Sequence, residues 1–480
     1  MSECQAPNSL DNQLFLLYGQ ARWKKQSRFM KTKNRIETDS MGPVNVPQDA
    51  YWGAQTERAR NYFSIGKELM PKELIQAITT IKKACAYTNC EYGLISKKKA
   101  SAIIHACDEI ATGKYDSEFP LSVWQTGSGT QTNMNVNEVI ATLANKQCKE
   151  QVHPNDDVNC SQSTNDVIPS ATQIACYQMM TTRLCIALDK FEKSLKKKTT
   201  AFQKILKVGR THLMDATPLT LGQEFSGYLA LIQQASQALD VSTKKLLQIP
   251  LGATAVGTGV NAPKGFSQKV CRSLCQHAKL PVQPAKNFFA ELSFPYTSLQ
   301  LSSSLKALAC VLIKIANDIR WMNSGPRCGL SEITLPANEP GSSIMPGKVN
   351  PTQCEALIMV CIQCIANDSA ITHAATLGNF ELNVCRPIIA YNLLQSITHL
   401  ADSLDSFRLY CLDGIVPNKK RLAAYVEKNL MHATTLAKHI GYEMTAKIVQ
   451  KAHKEDISIK EAAQILCGIS EDEFTALVML

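Results

Sequence analysis

The sequence predicts an all-α protein built around a bundle of long helices. Four long segments carry apolar residues at helical spacing, and few segments show the alternation that is typical of strands. In Val311–Ala316 the apolar side chains are nearly continuous, and a helix that is apolar on several faces is buried on several sides. We therefore expect a bundle that neighbouring subunits share. The four segments are Pro169–Leu206, Leu221–Gln248, Ser298–Asn323 and Pro351–Leu377.

The rest of the chain divides into units around this bundle. The first residues hold a short apolar patch and then basic residues, so we expect an extension, either a tail before a truer start at Met30 or a weak transit peptide. Turn formers follow, and then a helical pattern from Pro71 to Cys107. The end of the chain is short, amphipathic and more charged. The predicted units are an N-terminal extension (1–29), a mostly helical domain (30–165), the central bundle (166–412) and a small helical domain (413–480).

Charge and composition exclude several classes of partner. The 480 residues are 45% apolar and carry a net charge of +10, which favours anionic partners. The lysine runs Lys97–Lys99 and Lys196–Lys198 are short and have no interleaved aromatic residues, so single-stranded nucleic acid has no stacking platform. No apolar run reaches the length that a membrane span needs. We expect no nucleic acid and no membrane, and a positive field that suits a dianionic substrate.

The 18 cysteines do not form a recognisable framework. They are scattered along a long chain, whereas disulfide frameworks belong to small secreted domains. The single CxxC, Cys361–Cys364, lies inside an apolar helical segment and has no second pair nearby, so a zinc site lacks ligands. We expect reduced thiols that act as small core residues in a reducing compartment. The cytoplasm is the expected location, with the mitochondrial matrix as the alternative.

A polar, glycine-containing patch interrupts the helical pattern at Thr126–Glu138. Glycine lets the backbone approach a ligand closely, and hydroxyl and amide groups are neutral donors for carboxylate oxygens. The same residues could instead cap the helix that follows. From the residues alone, the two interpretations are balanced.

Two further polar patches carry weaker signals. His153–Asp157 and Ser163–Asp166 fit a turn and a helix cap before Pro169, and that simpler interpretation is preferred from the residues alone. His212 follows Thr211 in a polar break between two long helices. A lone histidine is more often structural than catalytic, and its position in this break raises the odds of a catalytic role without settling the matter.

The strongest signal is the segment Gly341–Pro351 with Glu355 just beyond it. Two glycines and three prolines, counting Pro340, predict a mobile loop, and such loops often close over active sites. An ordinary connector would not explain the paired serines Ser342 and Ser343 followed by a lysine and an asparagine.

This loop closely resembles the signature of the aspartase/fumarase superfamily. The other patches follow in the order and spacing of that family, and the resemblance covers nearly the whole chain from about Arg35 onward. Within the family, three segments are similar to those of iron-independent fumarases: Trp124–Gln131, Arg210–His212 and Asn379–Val384. Aspartases usually lack the histidine that stands here at position 212. The resemblance implies a three-domain, all-α fold and a hydro-lyase that converts fumarate to (S)-malate in the tricarboxylic acid cycle. It also implies a homotetramer in which several subunits build each active site.

The resemblance assigns a role to individual residues. The carbon base would be Ser342, made basic by loop N–H groups and the cation Lys348, while His212, supported by Glu355, would act on water. Neither a metal nor an organic cofactor is expected. The implied substrate-binding residues are Ser128, Gly129, Thr130, Ser163, Thr164, Asn165, Thr211, Ser343, Lys348, Val349 and Asn350. A second, entrance dicarboxylate site would hold His153, Pro154, Asn155 and Asp156.

Two rival functions and several departures from the family pattern stay open. Aspartate ammonia-lyase shares the fold, and a non-catalytic structural relative is the alternative of another class. Glu150 stands near the entrance site where a basic residue is common, which puts anion binding there in doubt. Thr164 replaces a frequent serine. The segment 287–296 departs from the usual fumarase sequence, and we expect altered packing there without loss of chemistry. The segment 436–439 departs from a common Leu-Asn-Pro pattern.

Overall fold

The computed structural model describes residues 33–478, so the extension predicted for residues 1–29 lies outside the described residues. The described chain is mostly helical, as the sequence predicts. Its sheets are five pairs of strands, each too small to form a layer of its own. The helices therefore supply the core of the molecule.

The N-terminal part is a hairpin followed by four helices. These elements are β1 (Asn34–Asp39), β2 (Gly42–Pro47), α1 (Ala54–Tyr62), α2 (Lys72–Glu91), α3 (Lys97–Ala111) and α4 (Thr130–Asn145). α2 packs against α3, and α3 packs against α4. Leu74, Ile78 and Ile81 are fully buried in α2, at the three- and four-residue spacing that places side chains on one face of a helix.

The central part contains the long helices. Its elements are α5 (Thr164–Met179), α6 (Cys185–Ala201), β3 (Leu206–Thr211), β4 (Met214–Thr220), α7 (Leu221–Lys245), β5 (Gln248–Ile249), α8 (Phe266–Ala278), β6 (Gln283–Pro284), α9 (Phe288–Ser293), α10 (Tyr296–Asn323), β7 (Ile333–Thr334), α11 (Thr352–Ala375), β8 (Gly378–Asn379), β9 (Leu382–Asn383) and α12 (Arg386–Tyr410). The helices α6, α7, α10, α11 and α12 pack along one another as a bundle. One hydrophobic core runs from the N-terminal part through this bundle.

The C-terminal part has a hydrophobic core of its own. Its elements are β10 (Val416–Pro417), α13 (Lys419–Lys428), α14 (Ala437–Ile440), α15 (Tyr442–Glu455), α16 (Ile459–Cys467) and α17 (Glu471–Val478). The separate core contains Leu436, Ile448 and Phe474 among its buried residues. β10 pairs with β7 of the central part. The boundaries at 165/166 and 412/413 stay predictions.

Three of the four predicted long helices match α7, α10 and α11 closely. The segment Pro169–Leu206 differs, because α5 begins earlier, passes into a π-helical turn at Met180–Leu184 and continues as α6. Pro169 lies inside α5 because the Ser163 side chain, six residues before the proline, caps the helix and forms a capping box with Asp166. The long helix α12 and the hairpin of β3 and β4 were not among the predicted elements.

The expectation that no segment is long and apolar enough to span a membrane is wrong when length and composition are the only criteria. Both α10 and α11 are sufficiently long and apolar, and fewer than half of the residues in their most apolar stretches are buried, 44% and 39%. The two helices pack against each other in the bundle. A core helix of a soluble protein meets the same criteria of length and composition. We therefore interpret the result as showing that α10 and α11 carry apolar faces that the described single chain leaves uncovered.

Candidate active site

The first patch forms the N-terminus of α4. Gly129 has a φ of +81° and is the residue before the helix, a conformation that glycine adopts without steric cost. The Ser128 and Thr130 hydroxyl oxygens lie 2.7 Å apart, and the Gln131 side chain accepts a hydrogen bond from the backbone N–H of Thr126. The helix N-terminus carries a partial positive charge and free N–H groups, which favour a bound carboxylate. Gly129 at the cap position forms no side-chain capping bond, so the interpretation of the patch as a helix cap is not confirmed.

Gly127 lets this loop lie directly against a second segment of the chain. Its carbonyl oxygen accepts a hydrogen bond of 3.1 Å from the backbone N–H of Arg386. A Cβ at Gly127 would lie 1.6 Å from the carbonyl oxygen of Val384, a distance that no side chain tolerates. The close approach places the fumarase-like segment Asn379–Val384 beside the hydroxyl groups of the first patch.

The Ser163 patch forms the N-terminus of the neighbouring helix α5. The Ser163 hydroxyl oxygen accepts a hydrogen bond from the N–H of Asn165, and the Asn165 side-chain amide donates to the carbonyl oxygen of Ala255 at 2.8 Å. Asp166 is buried and accepts from backbone N–H groups of Ser163, Gly252 and Thr254. Burial raises the pKa of this carboxyl to about 6, although the three N–H groups oppose the rise.

A hydrogen bond joins these two helix N-termini. The Asn133 amide nitrogen in α4 donates to the Thr164 hydroxyl oxygen in α5 at 3.2 Å. The described chain therefore brings together six of the predicted substrate-binding residues on two adjacent helix ends: Ser128, Gly129, Thr130, Ser163, Thr164 and Asn165.

His212 lies at the tip of a β-hairpin, a setting that the sequence interpretation missed. Thr211 pairs with Met214 across a two-residue turn made of His212 and Leu213, whose φ angles are +55° and +62°. Positive φ at both positions is the geometry of a tight hairpin turn that normally selects asparagine and glycine. Non-glycine residues held there are strained, and such strain is often found at functional sites. The turn leaves the imidazole of His212 exposed.

The base of this hairpin is anchored by buried charges. Glu332 is fully buried, and its carboxylate pairs with Arg210 Nη1 at 2.7 Å and Lys207 Nζ at 3.3 Å. The lysine ammonium also pairs with Glu224 at 2.8 Å. Because both cations are in β3, the cluster fixes the strand that ends at Thr211 and His212.

The Ser342 loop already surrounds its hydroxyl with donors. The Ser342 oxygen accepts hydrogen bonds from the backbone N–H of Ile344 at 3.3 Å and of Met345 at 3.0 Å. Two N–H donors on one oxygen stabilise developing negative charge there, as in an oxyanion hole. Ser342 is partly buried, while Ser343 beside it is exposed.

Lys348 and Asn350 form the other end of the loop. The lysine ammonium donates to the Asn350 amide oxygen at 2.6 Å, and the Asn350 amide nitrogen donates to the carbonyl oxygen of Gly341. These contacts close the loop on itself. The expected partnership of Lys348 with Ser342 is not among the side-chain hydrogen bonds of the described residues. Val349 is exposed, and Glu355 is half-buried in the first turn of α11.

The described chain does not unite all of the predicted residues. Within residues 33–478, no hydrogen bond or ion pair joins the His212 hairpin to the Ser342 loop or to the two helix N-termini. The predicted contact between Glu355 and His212 is likewise not among the ion pairs there. One chain presents three separate groups of predicted site residues.

Three of the four predicted entrance residues, His153, Pro154 and Asn155, line a polar cavity of about 710 Å³ beside the N-terminal hairpin, and Asp156 does not. The His153 Nδ1 atom accepts from the backbone N–H of Asp156, and Pro154 begins a π-helical turn. Asn155 is exposed at the mouth of the cavity. Glu150 does not line the cavity, since it bonds to Ser96 at 2.5 Å and pairs with Lys98.

The described cysteines are all free, and none is paired in a disulfide. Cys361 and Cys364 are buried in α11, and burial raises the pKa of the Cys364 thiol to about 11. A thiol with so high a pKa is unreactive at neutral pH. The interpretation as small core side chains is confirmed for the buried cysteines, whereas Cys275, Cys310 and Cys328 are exposed.

Comparisons with known proteins agree on one family. A family model described as "Lyase" matches residues 42–366, and one described as "Fumarase C C-terminus" matches residues 433–480. The class II fumarate hydratase of Thermosynechococcus vestitus is 51% identical over 457 residues, covering 94% of this chain and 98% of the relative. That of Helicobacter pylori is 50% identical over 451 residues, covering 93% and 97%. The crystal structure of class II fumarase from Schistosoma mansoni superposes with a TM-score of 0.91 at 41% identity, covering 93% and 98%. This chain belongs to the class II fumarate hydratase family.

Proposed function

We propose that this chain catalyses the reversible hydration of fumarate to (S)-malate through an aci-carboxylate intermediate. The observation that carries the proposal is the environment of Ser342. Its oxygen receives two backbone N–H bonds on a Gly/Pro-rich loop, in a chain about half identical to class II fumarate hydratases. A serine hydroxyl is a poor base in water, and these donors lower the free energy of its alkoxide.

The proposed reaction follows from the need to remove a weakly acidic hydrogen. In the direction from malate, the Ser342 alkoxide takes the proton from the carbon next to one carboxylate. The electron pair moves into that carboxylate, which becomes a doubly negative aci-carboxylate. His212 then protonates the departing hydroxyl, which leaves as water, and the double bond of fumarate forms. In the hydration direction the same groups act in reverse order.

The substrate carboxylates need donors at both ends. The two joined helix N-termini offer the hydroxyl groups of Ser128, Thr130 and Thr164 and the Asn165 amide. In the proposal, Lys348 and Asn350 supply the charge-assisted donors for the carboxylate that gains charge. Their mutual hydrogen bond in this structure holds the two side chains together. Thr211, Ser343 and Val349 complete the proposed binding set.

We propose further that the active chain is a homotetramer with composite sites. Large apolar side chains on the bundle are exposed in the single chain, including Trp321 (54%), Met359 (64%) and Ile362 (56%). Apolar area exposed along long helices is typical of an interface that other subunits cover. Such an assembly would also supply a His212 hairpin and a Ser342 loop from neighbouring chains to each pair of helix N-termini.

The proposed chemistry needs acid–base groups and hydrogen-bond donors alone, so no cofactor is part of it. Activity should therefore survive prolonged dialysis against a strong chelator. The entrance site of His153, Pro154, Asn155 and Asp156 remains a proposal of dicarboxylate binding away from the reacting atoms.

The deciding experiment assays the purified chain with malate and with aspartate side by side, following fumarate by its absorbance. We expect turnover of malate and none of aspartate. Turnover of aspartate alone would assign an ammonia-lyase, and no fumarate from either substrate would favour a non-catalytic relative. The relatives named above are class II fumarate hydratases, which favours the first outcome.

A further inference from the structure

A buried lysine lies behind the substrate-binding helix ends. Lys82 in α2 has a relative exposure of 0%, and its ammonium donates to the Asn159 amide oxygen at 2.8 Å. No carboxylate in the described part of the chain lies within ion-pair distance of it. A buried charge without an ion-pair partner costs considerable free energy, so its presence calls for a compensating role.

Three donors converge on the Asn159 oxygen. Besides Lys82, the amide nitrogens of Asn133 and Asn137 donate to it at 3.1 Å and 3.2 Å. The Asn159 amide nitrogen donates in turn to the carbonyl oxygen of Gln162, the residue that precedes the Ser163 cap. The network thus connects α2, α4 and the backbone that leads into α5.

The lysine fixes the direction of every hydrogen bond in this network. An ammonium can only donate, so Asn159 must turn its oxygen toward Lys82 and its nitrogen toward Gln162. Asn133 and Asn137 must then turn their nitrogens toward Asn159. An amide without such a constraint could rotate by half a turn and exchange donor for acceptor.

The orientation of the Asn133 amide also fixes the hydrogen bond of the substrate-binding Thr164 hydroxyl. The same Asn133 nitrogen that donates to Asn159 also donates to the Thr164 oxygen at 3.2 Å. With its oxygen occupied as an acceptor of that bond, Thr164 keeps its own O–H hydrogen free. That hydrogen is the donor that a substrate carboxylate requires.

We propose that Lys82 is a positioning residue that, through Asn159 and Asn133, holds the Thr164 hydroxyl as a donor to the substrate carboxylate. This inference rests on the proposed substrate-binding role of Thr164. Lys82 does not touch the substrate. Without its ammonium, the amides can rotate, and Thr164 can donate to the Asn133 oxygen instead of the substrate. That oxygen accepts no hydrogen bond in the described chain.

The test compares Lys82→Met, which keeps length and burial but removes the charge, with Lys83→Met. Lys83 is the next residue of the same helix, and it pairs with Asp108 near the surface. We expect Lys82→Met to raise the KM for fumarate about 10- to 100-fold, the usual worth of one charge-assisted hydrogen bond. The turnover number should change less than KM, because a carboxylate donor acts on the ground state and the transition state alike. Lys83→Met should keep the KM of the wild type.

A double-mutant cycle separates positioning from a general loss of structure. Thr164→Val alone should raise KM, and adding it to Lys82→Met should raise KM no further, because both changes remove the same donor. Additive effects would overturn the proposal, as would an unchanged KM in folded Lys82→Met. A wild type that fails to turn over fumarate would instead refute the proposed function.

If Lys82→Met does not fold, Asn159→Leu provides the second test, because it breaks the same network with the lysine in place. A soluble Asn159→Leu protein with raised KM supports the proposal, and one with wild-type KM overturns it. Failure of both variants to fold would show that the network serves stability alone, which also overturns it.

Discussion

The Asn133 amide in α4 and the Thr164 hydroxyl at the start of α5 are joined by a hydrogen bond of 3.2 Å. This bond sets the ends of two helices side by side, so that the partial positive charges of both helix dipoles face one region. A C4 dianion has two carboxylates that need such donors. The rest of the proposed chemistry must come from the His212 hairpin and the Ser342 loop.

Replacing Ser342 by alanine should abolish most turnover while leaving the assembly intact. Loss of the proposed carbon base should lower the turnover number about 10²- to 10⁴-fold, the usual contribution of a general base. The malate assay and size-exclusion chromatography measure the two effects. As the control, Ser470→Ala removes a hydroxyl that caps α17 far along the chain and should leave turnover unchanged. Activity of Ser342→Ala near that of the wild type would remove Ser342 from the mechanism.

Placing a charge on the exposed face of α11 should break the proposed tetramer. Ile362→Asp would bury an unpaired carboxylate in the subunit interface, at a cost of several kcal/mol. We expect smaller particles in light scattering and loss of activity. Ile465→Asp is the matched control, because Ile465 is similarly exposed (61%) but lies in the C-terminal part. A tetrameric Ile362→Asp protein would argue against this face as the interface.

Adding a methyl group at Gly127 should displace the hydroxyl groups of the first patch. The new Cβ would meet the Val384 carbonyl oxygen at 1.6 Å, so the loop and its neighbour must separate. We expect a large loss of malate turnover. Gly93→Ala is the control for backbone strain alone, since Gly93, unlike Gly127, has a positive φ (+73°), and a Cβ there would meet no atom within 4 Å. That variant should lose about 1 kcal/mol of stability and keep its activity. Equal activity losses in both variants would contradict the prediction.

The contribution of Lys82 to the free energy of unfolding should change with pH in the alkaline range. Burial lowers the pKa of Lys82 from 10.5 to about 8 in the folded chain, although Cys85, Asp166 and Cys107 around it oppose the shift. Below pH 8 the folded protein bears the whole cost of the buried charge. Between pH 8 and 10.5 the unfolded chain binds the extra proton, so folding becomes relatively more favourable as pH rises.

The measurement is the difference in unfolding free energy between wild type and Lys82→Met at several pH values. We expect the difference to shift in favour of the wild type by about 3 kcal/mol from pH 8 to 10.5, the pKa shift converted to free energy. Burial raises the pKa of the Cys85 and Cys107 thiols, so both stay neutral in this range. A difference that is constant with pH would show that folding does not lower the pKa of Lys82.

The helices of the bundle could be predicted because their signal is local. Ser298–Asn323 and Pro351–Leu377 lack internal glycine and proline, and the structure places α10 and α11 there. The Ser342 loop could be predicted from the sequence equally well, since its glycines and prolines exclude a helix. The capping residue Ser163 was proposed as a cap and is one.

The hairpin and the buried network could not be predicted for a different reason. His212 and Leu213 adopt positive φ against their own preference, so the tertiary structure overrides the local signal. Lys82 and Asn159 are 77 residues apart in sequence, and no local pattern indicates that they meet. Polar networks of this kind depend on how helices pack, which a single sequence does not display.

The central claim is that His212 and Ser342 of different chains act in one site, and subunit complementation tests it most directly. Ser342→Ala and His212→Asn proteins, each inactive alone, are unfolded together, refolded as a mixture and assayed with malate. If each site takes the two residues from different subunits, about a quarter of the sites in mixed tetramers regain both, and about a quarter of wild-type activity returns. A refolded mixture that contains mixed tetramers but stays as inactive as its parents would contradict the account.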